Sequence, residues 1–419
     1  MLFCDKICFF TTWSLTVKIF VIKIKMMKLK TKKMRRIALA FPSVMMSADS
    51  LMHGILDYAR KHGGWSFTRL PEQIDPSAAW LKDWKGDGAF AVVTTHEDAA
   101  MLHALRFPVV NVMGYIPSIE IPTATLDHHV VGRLQAEHLL ERRFRRLAYY
   151  GTSDLWFSRE RLAGFREAAE KAHVKVVPWM VSSGIQTRPR LTDQQAELAR
   201  WLSQMKPPFG VATSSDLRAC MVLDACAALG LRVPEDVSVI GMDNDPSVAP
   251  FATPPLSSVV RNDRALGFLA AQLLDDLIEG RKPKELCVQV QPAGVVARRS
   301  TETLGVDSSE VHQLIQDIRS HISEPFGVEF LMTRAHSSRR QIERLFVQET
   351  GYPPYTLINR LRIEHACNLL TKPGKKTLTS IAKECGFIEL RRFSLVFKQQ
   401  TGLTPKIFRE QALKHNLIP

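Results

Sequence analysis

From Arg36 to about Arg299 the chain alternates short apolar runs with longer segments in which apolar residues recur every three to four positions. The runs at 37–41, 65–70, 89–94, 109–113, 147–151, 175–179, 210–213 and 237–242 read as strands. Segments 50–61, 128–143, 159–172, 193–205 and 216–229 read as helices between them. That rhythm predicts doubly wound parallel sheets with helices on both faces. About 260 residues exceed one ordinary sheet, and the pattern starts again after Thr125, so two α/β lobes with a cleft between them are expected. In such folds ligands bind beyond the C-terminal ends of the strands.

After residue 310 the strand-like runs stop and only helical spacing remains. In 378–409, Thr379 is expected to cap a short helix through Cys385 and Gly386 to end it in the left-handed conformation. A second helix should then run from about Glu389 to Gln399. Two helices joined by so short a turn cross steeply, as in a helix-turn-helix. Phe393, Val396 and Phe397 fall at i, i+3 and i+4 and pack inward, which turns Leu390, Arg391, Leu395 and Lys398 outward, with Arg392 beside them. A basic outward face suits the DNA major groove. About fifty residues earlier, 330–351 repeats the pattern: Ile342, Leu345 and Phe346 face inward, and Arg339, Arg340, Glu343 and Arg344 lie outward. Between the units, 355–370 has the apolar spacing of one long helix. Arg344 can pair with guanine and Glu343 can accept from cytosine, whereas Leu395 offers only an apolar surface suited to a thymine methyl. Lys398 lies far enough along its helix to meet phosphate.

Charge sharpens this division. The net charge of +14 is concentrated at the ends: residues 1–36 hold ten Lys/Arg against one Asp, and 310–419 hold seventeen against ten acids. The middle, with 29 basic against 31 acidic residues, has no general attraction for polyanions. Residues 1–34 form a basic extension expected to lie outside any domain, and residues 1–33 are expected to be dispensable. Lys18 interrupts its apolar run and no small-residue cleavage site follows, so neither a secretory signal nor a membrane anchor is expected. Seven scattered cysteines without metal-ligand spacing fit the cytoplasm. No GxGxxG, Walker A, GxSxG or HExxH pattern stands in the middle region, which argues against a nucleotide enzyme, a serine hydrolase or a zincin.

Two resemblances follow from the motifs. The C-terminal pattern Ser338-x3-Ile342-x-Arg344-x-Phe346-x4-Gly351, Leu361-Arg362-x3-Ala366, Ile381-Ala382-x3-Gly386-Phe387, Phe393-x3-Phe397-Lys398 and Gly402-x2-Pro405 resembles the DNA-binding domain of AraC/XylS transcription regulators, an all-α domain with two helix-turn-helix units. The pattern Thr125-x-Asp127-x4-Gly132, Arg161-x2-Gly164-Phe165, Ser215-Asp216, Gly241-Met242-Asp243-Asn244 and Pro255-x-Ser257 resembles the periplasmic-binding-protein-like sensor of LacI/GalR repressors. That resemblance implies that Arg161, Ser215, Asp243 and Arg261 contact a sugar. The residues themselves fit: guanidinium groups donate to hydroxyls and carboxylates accept from them in charge-assisted bonds. Trp156 and Phe157 could stack on the apolar face of a pyranose. Asn244 follows Asp243. Asp216 and Asp127 are candidates that could equally be helix caps, and Asp49 is a weaker one. His128, His129 and His138 read as ordinary helix residues.

The expected organisation is an extension (1–34), a two-lobed sensor (35–299), a linker (300–310) and a DNA-binding domain (311–419). The expected function is a cytoplasmic, sequence-specific transcription regulator responding to a sugar, xylose or another pentose among the candidates. Its expected partners are DNA, the sugar, a second copy of itself and, if it activates, RNA polymerase, with no membrane, cofactor or metal. The rival is a sugar-binding receptor or a sugar-processing enzyme, which would need export or a paired acid and base.

Overall fold

The computed structural model describes residues 34–42, 48–70, 78–113, 116, 119–182, 190–370 and 376–416. The expected N-terminal extension therefore lies, except for Met34, outside the described residues. In chain order the first lobe begins β1 (Arg35–Ala40), α1 (Ala48–His62), β2 (Trp65–Thr68), β3 (Gly88–Ala91), α2 (His96–His103), β4 (Val109–Asn111) and β5 (Thr123–Leu126). The second lobe carries α3 (His128–Glu141), β6 (Leu147–Thr152), α4 (Trp156–Lys171), β7 (Val176–Val181), α5 (Leu191–Ser203), β8 (Phe209–Thr213), α6 (Asp216–Ala228), β9 (Val237–Asp243) and β10 (Ser257–Val260). The chain then returns to the first lobe for α7 (Asp263–Ile278) and β11 (Cys287–Val290), and crosses again for β12 (Gly294–Val296).

Each lobe is a six-stranded sheet, ordered β11-β5-β4-β3-β1-β2 and β12-β10-β9-β8-β6-β7. All pairings are parallel except β10 with β12. The new start expected after Thr125 falls slightly later, because Thr125 and Leu126 still pair with Gln289 and Val290 in the first sheet. Among the described residues three segments thus cross between the lobes, and they are bonded to one another. Asp127 N–H donates to the Val290 carbonyl at 2.8 Å, Gln291 Nε2 to Asp127 Oδ2 at 2.9 Å, and Asn262 Nδ2 to the Gln291 carbonyl at 3.3 Å.

Parallel strands covered on both faces are rich in apolar residues, and here Ile37, Leu39 and Phe90 in lobe 1 and Tyr149, Val211 and Ile240 in lobe 2 are buried. Glycine sets how closely the covering helices approach. A Cβ on Gly132 of α3 would lie 1.7 Å from the Arg161 carbonyl oxygen of α4, and one on Gly164 would lie 1.9 Å from the His129 carbonyl oxygen, so the two backbones touch.

The expected linker is not a loose tether. Ser300, Thr301, Thr303 and Val306 are buried, and Ser300 Oγ donates to the Val239 carbonyl of β9. Beyond it come α8 (Ser309–Ser320), α9 (Val328–Met332), α10 (Arg339–Thr350), α11 (Pro354–Leu370), α12 (Leu378–Glu384), α13 (Leu390–Thr401) and α14 (Pro405–Asn416). Helix α11 serves two cores: Leu357 and Leu361 pack with Ile342 and Phe346, whereas Ile363, Ala366 and Leu370 pack with Ile381, Phe393 and Phe397. Helix α12 is capped by Thr377, whose side chain accepts from Ser380 N–H, rather than by Thr379. The cap residue must precede the helix in extended backbone, and Thr377 does, whereas Thr379 already lies in the first turn. Gly386 ends that turn at φ +70°, as expected.

Candidate functional site

The cleft between the lobes holds a cavity of about 120 Å³ lined by Met113, Thr125, Leu126, His128, Phe157, Arg161, Ser214, Ser215, Asp243 and Arg261. Every polar member sits at or just past a strand end or in the first turns of the following helix. Asp243 closes β9 at φ +121°, and Asn244 follows at φ +52°. Two successive non-glycine residues in that region hold strain, and the effect is to aim the Asp243 carboxylate into the cleft.

Opposite it stand two guanidinium groups. Arg161 is buried, donates to the Ser214 carbonyl, approaches His128 Nδ1 at 3.3–3.4 Å and lies 4.9 Å over the Phe157 ring. Arg261 reaches from the interlobe crossing to Asp243 at 3.6 Å and to Asp263 at 2.8 Å. Burial pushes the Asp243 carboxyl up despite the pull of Arg161 and Arg261, so desolvation outweighs the ion pairing. Burial likewise lowers Arg161. Both charges are therefore incompletely compensated, a state that ligand hydroxyls can relieve by donating to the carboxylate and accepting from the guanidinium.

His128, read from sequence as an ordinary helix residue, belongs to this cavity. Burial, then Arg161 and Arg261, keep it well below its usual pKa, so it is neutral. Its Nδ1 accepts from Arg161, which leaves Nε2 carrying the proton 3.4 Å from Thr125 Oγ1. The signal for it was positional: it is the second residue past β5, at the mouth of the cleft.

Five other sequence candidates lie elsewhere for identifiable reasons. Asp216 is buried beneath the cavity, accepting from Ser258 Oγ at 2.6 Å and Asp245 N–H at 2.8 Å; burial raises its pKa to about 6. Asn244 is held by Arg298 at 2.7 Å and Ser258 at 2.9 Å. Asp127 caps α3 by accepting from Val130 N–H. Trp156 stands edge-on to His128, with ring centroids 5.5 Å apart, behind the lining. Asp49 is exposed in the first turn of α1, and the neighbouring 43–47 lie outside the described residues. Ser215 both lines the cavity and caps α6.

The two helix-turn-helix units present the outward faces expected of them. Arg340, Glu343 and Arg344 are exposed on α10, as are Leu390, Arg391, Leu395 and Lys398 on α13. Arg339 and Arg392 are engaged within the protein: Arg339 bonds Glu329 at 2.6 Å and Glu343 at 3.1 Å, and Arg392 bonds the Tyr355 hydroxyl at 2.7 Å. The same bond engages Glu343 with Arg339, whereas Arg392 ties α13 to Tyr355 of α11.

The first unit is docked on lobe 2. Arg146 pairs with Asp307 at 2.7 Å, Asp307 N–H donates to Glu349 at 2.7 Å, and the Arg143 guanidinium lies against Gly351 and 5.9 Å from the Tyr352 ring centroid. Helix α3 thus begins at the cavity with His128 and is followed at its far end by the residues that hold the reader. A larger opening of about 500 Å³ lies along this seam, lined by Arg142, Arg298, Arg319, Glu302 and Glu364 among others. That opening is lined by charges of both signs, whereas the smaller cleft brings the buried Asp243 carboxylate together with Arg161 and Arg261.

Comparison with known proteins agrees with this division. A periplasmic binding protein-like domain matches residues 136–301, and a helix-turn-helix domain matches residues 331–411. The xylose operon regulatory protein of Escherichia coli K12 is 28% identical over 390 residues, which cover 90% of this chain and 97% of that protein. The chain is a homologue of that regulator. The xylose operon regulatory protein of Haemophilus influenzae is 28% identical over 332 residues, covering 77% and 84%. The solved structure of a xylose-binding transcription activator superposes with a TM-score of 0.62 at 26% identity, covering 91% of this chain and 99% of that one. A cellobiose complex of the regulator CelR, at 23% identity and TM-score 0.51, covers 64% of this chain and shares the sensor fold. The homologue thus combines a two-lobed sensor with a reader of two helix-turn-helix units.

Proposed function

We propose that the protein is a cytoplasmic transcription regulator that binds a sugar, xylose or another pentose, between its lobes and reads DNA with α10 and α13. The observation that carries this is the cleft itself: Asp243 faces Arg161 and Arg261 beside an aromatic face, on the same chain as two exposed basic recognition helices. A polyhydroxylated ring with one apolar face answers that set of groups. The sugar acts by its differential affinity for open and closed lobes, and the docked first unit follows lobe 2. The protein acts as a homodimer, and as an activator it contacts RNA polymerase; it catalyses no reaction. Calorimetric titration with pentoses and hexoses, paired with DNA binding at two salt concentrations, tests the reading. Sugar binding that leaves DNA affinity unaltered, or DNA affinity indifferent to salt, overturns it.

A further inference from the structure

Helix α13 and the turn before it expose three large aliphatic side chains. Ile388 is 82% exposed, Leu395 59% and Leu390 38%, while Phe393, Val396 and Phe397 of the same unit are buried. No other large apolar side chain among the described residues is as exposed as Ile388. Ile388 and Leu390 flank the helix N-cap Glu389, and Leu395 lies just over one turn further on, with exposed Arg391 and Lys398 on the same side. The N-terminal part of a recognition helix is the part that reaches base edges, and Arg391 and Lys398, seven residues apart and so on one stripe of the helix, add positive charge beside it that suits phosphate. The corresponding face of α10 is polar, carrying Arg340, Glu343 and Arg344.

We propose that Ile388, Leu390 and Leu395 form a thymine-reading strip, packing on the 5-methyl groups of neighbouring thymines in the major groove. The inference rests on the DNA-binding reading above and adds the base chemistry of the second element. Thymine carries the one methyl on the major-groove edges of the four bases, so an apolar strip there discriminates by burial rather than by hydrogen bonding. The two units are then chemically complementary readers. The first takes a G·C-containing element through hydrogen bonds; the second takes a thymine run through contact.

The test uses the full chain to select duplexes from a randomised library. The selected sequence is then remade with deoxyuridine replacing thymine one position at a time. Each methyl removed under the strip should weaken binding about fourfold, the worth of one buried methyl-sized group. Ile388→Ser should erase that discrimination at one position only, and Leu395→Arg should switch its position from thymine to guanine. Equal binding of thymine and deoxyuridine at every position of a selected sequence overturns the strip while the regulator reading stands. Methyl discrimination that survives Ile388→Ser, with only polymerase-dependent transcription lost, reassigns the patch to a protein contact. No enriched sequence at all removes both readings.

Discussion

Asp243 is the one carboxylate among the residues lining the cavity, and it faces the guanidinium groups of Arg161 and Arg261. Asp243→Ala should weaken sugar binding by about 1.5 to 3 kcal/mol while DNA affinity without sugar stays near its original value. Calorimetry on the variant decides it, and unchanged sugar affinity would move the ligand elsewhere. Asp216 makes a different contribution. Its carboxyl keeps its proton up to about pH 6, against an ordinary value of 3.8, so the folded state holds a proton that the unfolded chain releases earlier. Its stabilisation is therefore fully present below about pH 4 and lost as the pH rises through 6. Asp216→Asn should flatten that part of the pH–stability curve, read as the difference in unfolding free energy between variant and parent from pH 4 to 7; an unchanged curve would show that Asp216 is ionised throughout. At this scale the sequence was readable where a residue type is unusual for its place. Arg161, Ser215, Asp243 and Arg261 come together as the family resemblance implies, and Phe157 joins them. Asn244, Asp127 and Asp216 are polar for local reasons, as hydrogen-bond nodes and caps, and His128 gave no compositional sign because its partners come from α4 and β5.

Among the elements, the contact of α3 with α4 is made backbone to backbone. Gly132→Ala would force its new methyl into the Arg161 carbonyl, so the helices must separate. Overpacking of this kind costs about 1 to 3 kcal/mol. Because the displaced residue is Arg161 itself, sugar affinity should fall with the melting temperature; a variant that loses stability but keeps affinity would uncouple the two helices. For the readers, Arg344→Ala should cost about 1 to 3 kcal/mol at one base position, whereas Lys398→Ala should weaken all sequences evenly and lower the salt slope by about one. Binding to a randomised operator library at two salt concentrations distinguishes them, and uniform weakening by Arg344→Ala would make the first unit a backbone clamp. Strands such as β1, β6, β8 and β9 were legible because they are covered on both faces and most of their positions are apolar. Strands β10, β11 and β12 were not: SSVV and CVQV are short and half polar, and they are strands because neighbouring strands pair with them. The return of α7 to lobe 1 was equally hidden, since a Gly267 contact with the Leu51 carbonyl is a tertiary fact with no local signature.

For the molecule as a whole, sensor and reader meet through Arg143, Arg146, Asp307, Glu349 and Gly351, none of which lines the cleft. The double variant Arg143→Ala, Arg146→Ala should bind sugar normally and bind DNA, yet show a smaller change of DNA affinity on adding sugar. Titrations of each ligand in the presence of the other measure that coupling, and an undiminished effect would show that the signal travels by another route. Helix α3 gives this arrangement a mechanical length. Its 14 residues, at about 1.5 Å each, make an arm of roughly 21 Å from the cavity to the reader seam. A tilt of about 5° imposed at the His128 end displaces the other end by about 2 Å, more than a hydrogen bond tolerates and far less than one turn of the double helix. So small an angle would leave the two recognition helices in the same groove and change only how well they fit it.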